Sequence, residues 1–200
     1  MSVHPITAQS FAIIDREIGH HHWSPEEYAI VRRAIHATAD FDLNPLFQFS
    51  TNAIAAGSDA LRRGAAIVVD VRMVAVAVGG TLDRYGHAPP YCALDMAPPE
   101  VPLGQTRSAV GMSVLAQQYP TGIFVVGNAP TALLALTEAI AAGISQPSLV
   151  IGVPVGFVAV AEAKAALAAL DVPQIQVRGR KGGSPVAAAI VNALFGLTYG

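Results

Sequence analysis

Hydrophobic and polar positions divide the chain into two regimes. Residues 6 to 19 carry Ile6, Phe11, Ile13, Ile14 and Ile18 with polar residues between them, which predicts a helix. The stretch "WSPEEYAIVRRAIHATADFD" predicts a second, with Ser24 as N-cap, Pro25 at the first helical position and Glu26 and Glu27 in the first turn. Its inward stripe is Tyr28, Val31, Ile35 and Thr38. "STNAIAAGSDALRRG" predicts a third helix, ending at Gly64. From residue 65 the pattern changes. "AAIVVD" is a short apolar strand. "TGIFVVGNAPTALLALTEAIAAG" reads as strand, tight loop and helix, and "PSLVIGVPVGFVAVAEAKAALAAL" and "PQIQVRGRKGGSPVAAAIVNAL" repeat that plan. Apolar β-branched runs alternating with helices imply parallel strands covered on both faces. The predicted fold class is α/β, a three-layer α/β/α sandwich with a mainly parallel sheet, as one domain over 1–200. Residues 80 to 105, rich in Pro and Gly, read as a long ordered loop.

Composition sharpens this. Of 200 residues, 52% are hydrophobic and only 13% charged, so apolar surface must be hidden in an oligomer or a membrane. Asp70 and Arg72 interrupt the apolar run "AAIVVDVRMVAVAVGG", and no run reaches the ~20 residues of a membrane-spanning helix, so the oligomer is expected. The N-terminal stretch shows no basic segment followed by an apolar one, so no leader is expected and the compartment is cytoplasm. The single Cys92 excludes an internal disulfide and a cysteine-based zinc site. A net charge of -2 argues against a nucleic-acid surface.

Candidate chemistry falls in two places. Three loops, "GNAPT" (127–131), "GVPVGF" (152–157) and "GRKGGS" (179–184), follow predicted strands at the sheet's carboxyl edge, where open α/β sheets bind ligands. Asn128 and Ser184 are expected to cap the helices that follow, with Arg180 and Lys181 adding charge beside the last. Neither GxxxxGK[ST] nor GxGxxG is present, which weighs against a nucleotide-binding protein. The other place is the histidines. "HHH" at 20–22 lies between two helices, and adjacent side chains there point apart, so a solvated loop is expected. His36 differs. It lies about 100° round the helix from Ile35, flanking the core, with Arg32 and Arg33 one turn before it and Asp40 four residues after. A proton donor beside an anion site and a structural residue on a helix flank both fit this placement.

"SFAIIDREIG", "RRAIHATADFD", "DVRM", "TRSAVGM", "GNAPTALLAL", "LVIGVPVGFVAVAEAK" and "GRKGGSPVAAAIVNAL" together, in this order and over nearly the whole chain, resemble the precorrin-8X methylmutase family of cobalamin biosynthesis, including the cobalt-precorrin-8 methylmutases. The resemblance implies an α/β/α homodimer and an isomerase acting on a corrinoid tetrapyrrole. The methyl on carbon 11 moves to carbon 12 in a [1,5]-sigmatropic shift, giving hydrogenobyrinate or its cobalt counterpart, with no cofactor and no protein-bound metal. It implies His36 as the catalytic residue, protonating or hydrogen-bonding the ring C nitrogen, and Ser10 and Arg33 as substrate contacts. Arg107, Lys181 and the loop amides are further candidates for the substrate's carboxylates. Where the family commonly reads E-S-K, this chain has Ala163, which puts a role for that position in doubt. A tetrapyrrole carrier of the same fold without turnover is the alternative, and a His36→Ala variant separates the two.

Overall fold

The structure, a computed structural model, describes residues 4–200; residues 1–3, where the N-terminal stretch begins, lie outside it. In chain order the elements are α1 (Pro5–Glu17), α2 (Pro25–Thr38), a 3-10 turn (Phe41–Leu46), β1 (Phe47–Phe49), α3 (Ala53–Arg62), β2 (Ile67–Val69), α4 (Arg72–Arg84), β3 (Tyr91–Cys92), α5 (Ala93–Met96), α6 (Arg107–Gln118), β4 (Ile123–Val126), α7 (Pro130–Ala141), β5 (Leu149–Gly152), α8 (Val160–Ala168), β6 (Gln174–Val177) and α9 (Ser184–Tyr199). The sheet order is β1-β6-β5-β4-β2-β3. Every pairing is parallel except that of β1 with β6.

Two separate cores flank the sheet, as the apolar runs of the strands require. Ile67, Val69, Ile123, Val125, Leu149, Ile151, Ile175 and Val177 pack toward α2, α3, α4 and α9. Val68, Phe124, Val126 and Val150 turn to the opposite face, against α6, α7 and α8. The three-layer sandwich is therefore the architecture. In β6 the buried glutamines Gln174 and Gln176 alternate with Ile175 and Val177. The Gln174 amide donates to the carbonyls of Leu167 and Leu170 at 3.1 and 3.0 Å, and Gln176 donates to Gln174, so these polar groups are satisfied. No helix among the described residues is long and apolar enough to cross a membrane.

Local signals held where their chemistry is self-contained. Ser24 accepts from Glu27 N, and the Glu27 carboxylate accepts from Ser24 N, a complete capping box that stabilises the start of α2 by about 1 kcal/mol. Elsewhere tertiary partners changed the outcome. The region 80–105 is not one loop: α4 runs through Gly79 and Gly80 to Arg84, and β3 and α5 follow. Val74, Val78 and Leu82, spaced four apart and fully buried, hold α4 helical against its glycines. The N-cap of α7 is Ala129 and that of α9 is Gly183, so neither Asn128 nor Ser184 caps its helix. The loop before α7 is held instead through its backbone, by Asp70. Its buried carboxylate accepts from Gly127 N at 3.0 Å, Asn128 N at 2.7 Å and Ala129 N at 2.7 Å. Burial raises its pKa, and the three N–H donors oppose that rise.

Candidate functional site

The site begins with how α1 docks on α2. Asp15 of α1 accepts from Arg32 Nη1 at 3.0 and 3.2 Å and from Tyr28 Oη at 2.5 Å. Burial and the Asp15 carboxylate push the Tyr28 hydroxyl up to about 12. The Arg32 guanidinium lies 4.4 Å from the centroid of the Phe11 ring. Phe11 in turn meets the His36 imidazole edge to face, with centroids 5.3 Å apart and planes at 74°. Ile14, buried, completes the apolar contact.

Between these helices lies a concavity of about 280 Å³. Ser10, Ile13, Ile14 and Glu17 form its α1 wall; Ile35, His36, Ala39 and Phe41 form the other. His36 is exposed and its ring is open to a ligand. Ser10 Oγ donates to Ile6 O at 2.9 Å within its own helix, which leaves its lone pairs free to accept. Such a surface can receive a flat apolar edge, with one proton donor and one hydroxyl at its rim. A larger hollow of about 410 Å³, lined by residues including Asp59, Arg63 and Asp171, opens at the opposite, amino end of the strands and contains none of the candidate groups.

A profile of the family described as precorrin-8X methylmutase matches residues 5–197. The chain belongs to that family. It is 51% identical to the cobalt-precorrin-8 methylmutase of Synechocystis sp. over 98% of this chain and 96% of that protein. It is 44% identical to the precorrin-8X methylmutase of Pseudomonas aeruginosa over 94% and 93% of the two chains. The crystal structure of the precorrin-8x methyl mutase of Thermus thermophilus superposes with a TM-score of 0.88 at 45% identity, covering 98% of both chains.

Of the residues that the methylmutase resemblance singled out, His36 and Ser10 share the concavity. Arg33 lies one turn before His36, partly exposed, with no ion-pair partner among the described residues. Arg32, expected to share an anion site with Arg33, is committed instead to Asp15 and Phe11. Asp40 does not follow on the face of His36. The helix ends at Thr38 and Ala39 turns left-handed at φ 54°, sending Asp40 to cap the 3-10 turn. Lys181 lies outside the lining and is paired with Asp40 and Asp42. Arg107 is on the other helical layer. Its guanidinium donates to the carbonyls of Leu94, Pro98 and Pro99, at 3.3, 3.3 and 3.4 Å, fixing the segment before α6. Ala163 is fully buried against the sheet, so a serine there would need an internal partner for its hydroxyl.

The consecutive histidines turn to different neighbours. His21 stacks on Tyr28 at 4.3 Å and His22 lies 4.3 Å from the Trp23 ring. Among the described residues no group of three or more His, Cys, Asp or Glu side chains is arranged to hold a metal. Sequence reasoning missed Phe11, Glu17 and Phe41. The one available signal was the i, i+3, i+7 recurrence of Ser10, Ile13 and Glu17 on one face of α1.

Proposed function

We propose that this protein catalyses the methyl migration from carbon 11 to carbon 12 of precorrin-8X or its cobalt form, as an isomerase of cobalamin biosynthesis. The observation that carries this reading is the meeting of Ser10 and His36, from separate helices, at the rim of one apolar concavity. The family membership supplies the substrate class.

At about 280 Å³ the concavity is smaller than a pocket for a drug-sized ligand, so it takes one edge of the macrocycle and leaves the rest on the surface. Ile13, Ile14, Ile35 and Phe41 exclude water from that edge. His36 donates a proton or hydrogen bond to the ring C nitrogen. This draws electrons toward the nitrogen as the methyl leaves carbon 11 and bonds carbon 12, and the proton returns to His36 once the shift is complete. The migration is intramolecular, so atoms and electrons balance without a co-reactant. Ser10 orients the macrocycle across from His36, and Arg33, without an ion-pair partner among the described residues, meets a carboxylate one helical turn away.

A homodimer in the cytoplasm fits the same reading. Exposed Met73 and Val76 on α4, in a chain that is 52% hydrophobic, favour a second copy as cover. The deciding experiment follows the change in absorption as purified protein converts each form of the substrate. Conversion by the wild type with none by His36→Ala, while pigment still binds, supports the enzyme. Binding without conversion by the wild type supports a carrier.

A further inference from the structure

Lys181 is paired with two carboxylates of its own chain. Its Nζ donates to both carboxylate oxygens of Asp40, at 2.9 and 2.7 Å, and to Asp42 at 2.8 Å. Those carboxylates keep its proton firmly held, raising its pKa. Between the two aspartates stands Phe41, and just before them Ala39; both line the concavity with His36. The 3-10 turn that follows depends on the same group, because Asp40 Oδ1 also accepts from Asp42 N at 3.0 Å.

The loop that delivers Lys181 is gripped from its other side. Lys164 of α8 is 5% exposed, and its Nζ donates to Gly179 O at 2.8 Å and to Lys181 O at 2.7 Å. No carboxylate pairs with it among the described residues. A buried cation is costly, and helix packing alone would be served by Met at this position. The loop also lies tight on the end of β5. Gly183 N donates to Val153 O at 2.8 Å, and a Cβ on Gly182, at φ 145°, would collide with that same carbonyl. A continuous chain of contacts therefore runs from α8, through the loop 179–183, to the wall beside His36.

We propose that Lys164 and Lys181 are positioning residues for the isomerisation, a two-lysine brace that sets the Ala39–Phe41 wall against which His36 presents its ring. This rests on the reaction proposed above. It differs from a carboxylate-binding role for Lys181, because its cation is already matched by two carboxylates of the same chain.

The test compares Lys181→Met and Lys181→Arg with the wild type, in turnover and in amide hydrogen exchange at Asp42 and Leu43. Lys181→Met is expected to lower kcat on the order of tenfold with KM near the wild-type value, since a small misplacement in a site costs rate before affinity. It is also expected to speed exchange at both amides, and Lys181→Arg should restore most of both. A rise in KM with kcat retained would assign Lys181 to the substrate and overturn the brace; so would wild-type kcat and exchange in Lys181→Met. Lys164 is buried, so Lys181→Met, at a partly exposed position, keeps the test independent of folding failure. If the wild type itself does not isomerise the substrate, the proposed reaction fails, and the exchange rates alone still decide the brace.

Discussion

Phe11 meets His36 edge to face, and the same ring carries the Arg32 guanidinium 4.4 Å from its centroid. One aromatic ring thus fixes the catalytic candidate to a helix whose own attachment is an ion pair. Replacing Phe11 with Leu keeps apolar volume but removes the ring contact. The expected result is a kcat lowered by about tenfold and a fold destabilised by about 1 kcal/mol, read from turnover and thermal unfolding. Phe11→Tyr, which keeps the ring, should stay near wild type.

Replacing His36 with Gln keeps a hydrogen-bonding side chain but no imidazole to give and take back a proton. Loss of turnover by about 10²- to 10⁴-fold is expected, as for removal of a general acid. His36 is exposed, so the loss of its edge contact with Phe11 should move unfolding by no more than about 1 kcal/mol. A variant with full turnover would remove His36 from the mechanism.

Asp15→Asn tests the docking of α1. The amide cannot balance Arg32 and accepts less well from Tyr28, so α1 loosens and with it the wall that carries Ser10 and Ile13. KM should rise several-fold while α2, held by its own capping box and buried Ile30, Val31, Ala34 and Ile35, stays folded. Circular dichroism and steady-state kinetics separate the two.

These tests also mark what the chain disclosed and what it withheld. The start of α2 was readable because Ser24, Pro25 and Glu27 act on neighbouring backbone. The β4 and β5 runs were readable because a strand covered on both faces has few polar positions. β1 was not, since three residues, Phe47–Phe49, cannot display an alternation, and its direction is set by Val177 and Ile175 far along the chain. The family resemblance placed Ser10 and His36, but their shared concavity depends on an Asp15–Arg32 contact spanning two helices. Lys181 looked like a free cation because its aspartates lie 141 and 139 residues away.

Asp70→Asn probes the carboxyl edge of the sheet. An amide offers one acceptor oxygen where the carboxylate offers two, and turns an NH2 toward the N–H groups of Asn128 and Ala129. Destabilisation of about 2–3 kcal/mol is expected, through buried donors left unpaired. Chemical denaturation of the two proteins measures it.

Lys164 gives stability a pH dependence of defined sign. Burial lowers its pKa from the usual 10.5 to about 8. Between these values the unfolded chain binds more protons than the folded one, so this group makes stability rise as pH increases through the window. Below about pH 8 the cation is present in both states and its burial cost is at full strength. The difference in unfolding free energy between the wild type and Lys164→Met should therefore shift in favour of the wild type from pH 8 to 10. A flat difference across that range would show that Lys164 is not desolvated in the folded protein.

The sheet closes on both sides with strands of minimal length, three residues in β1 and two in β3. An unpaired edge that short offers a passing chain too few N–H and C=O groups to extend the ladder. For a protein whose sequence is half apolar, this matters at high concentration. The route by which such chains polymerise into aggregates is cut off at the two places where it would start.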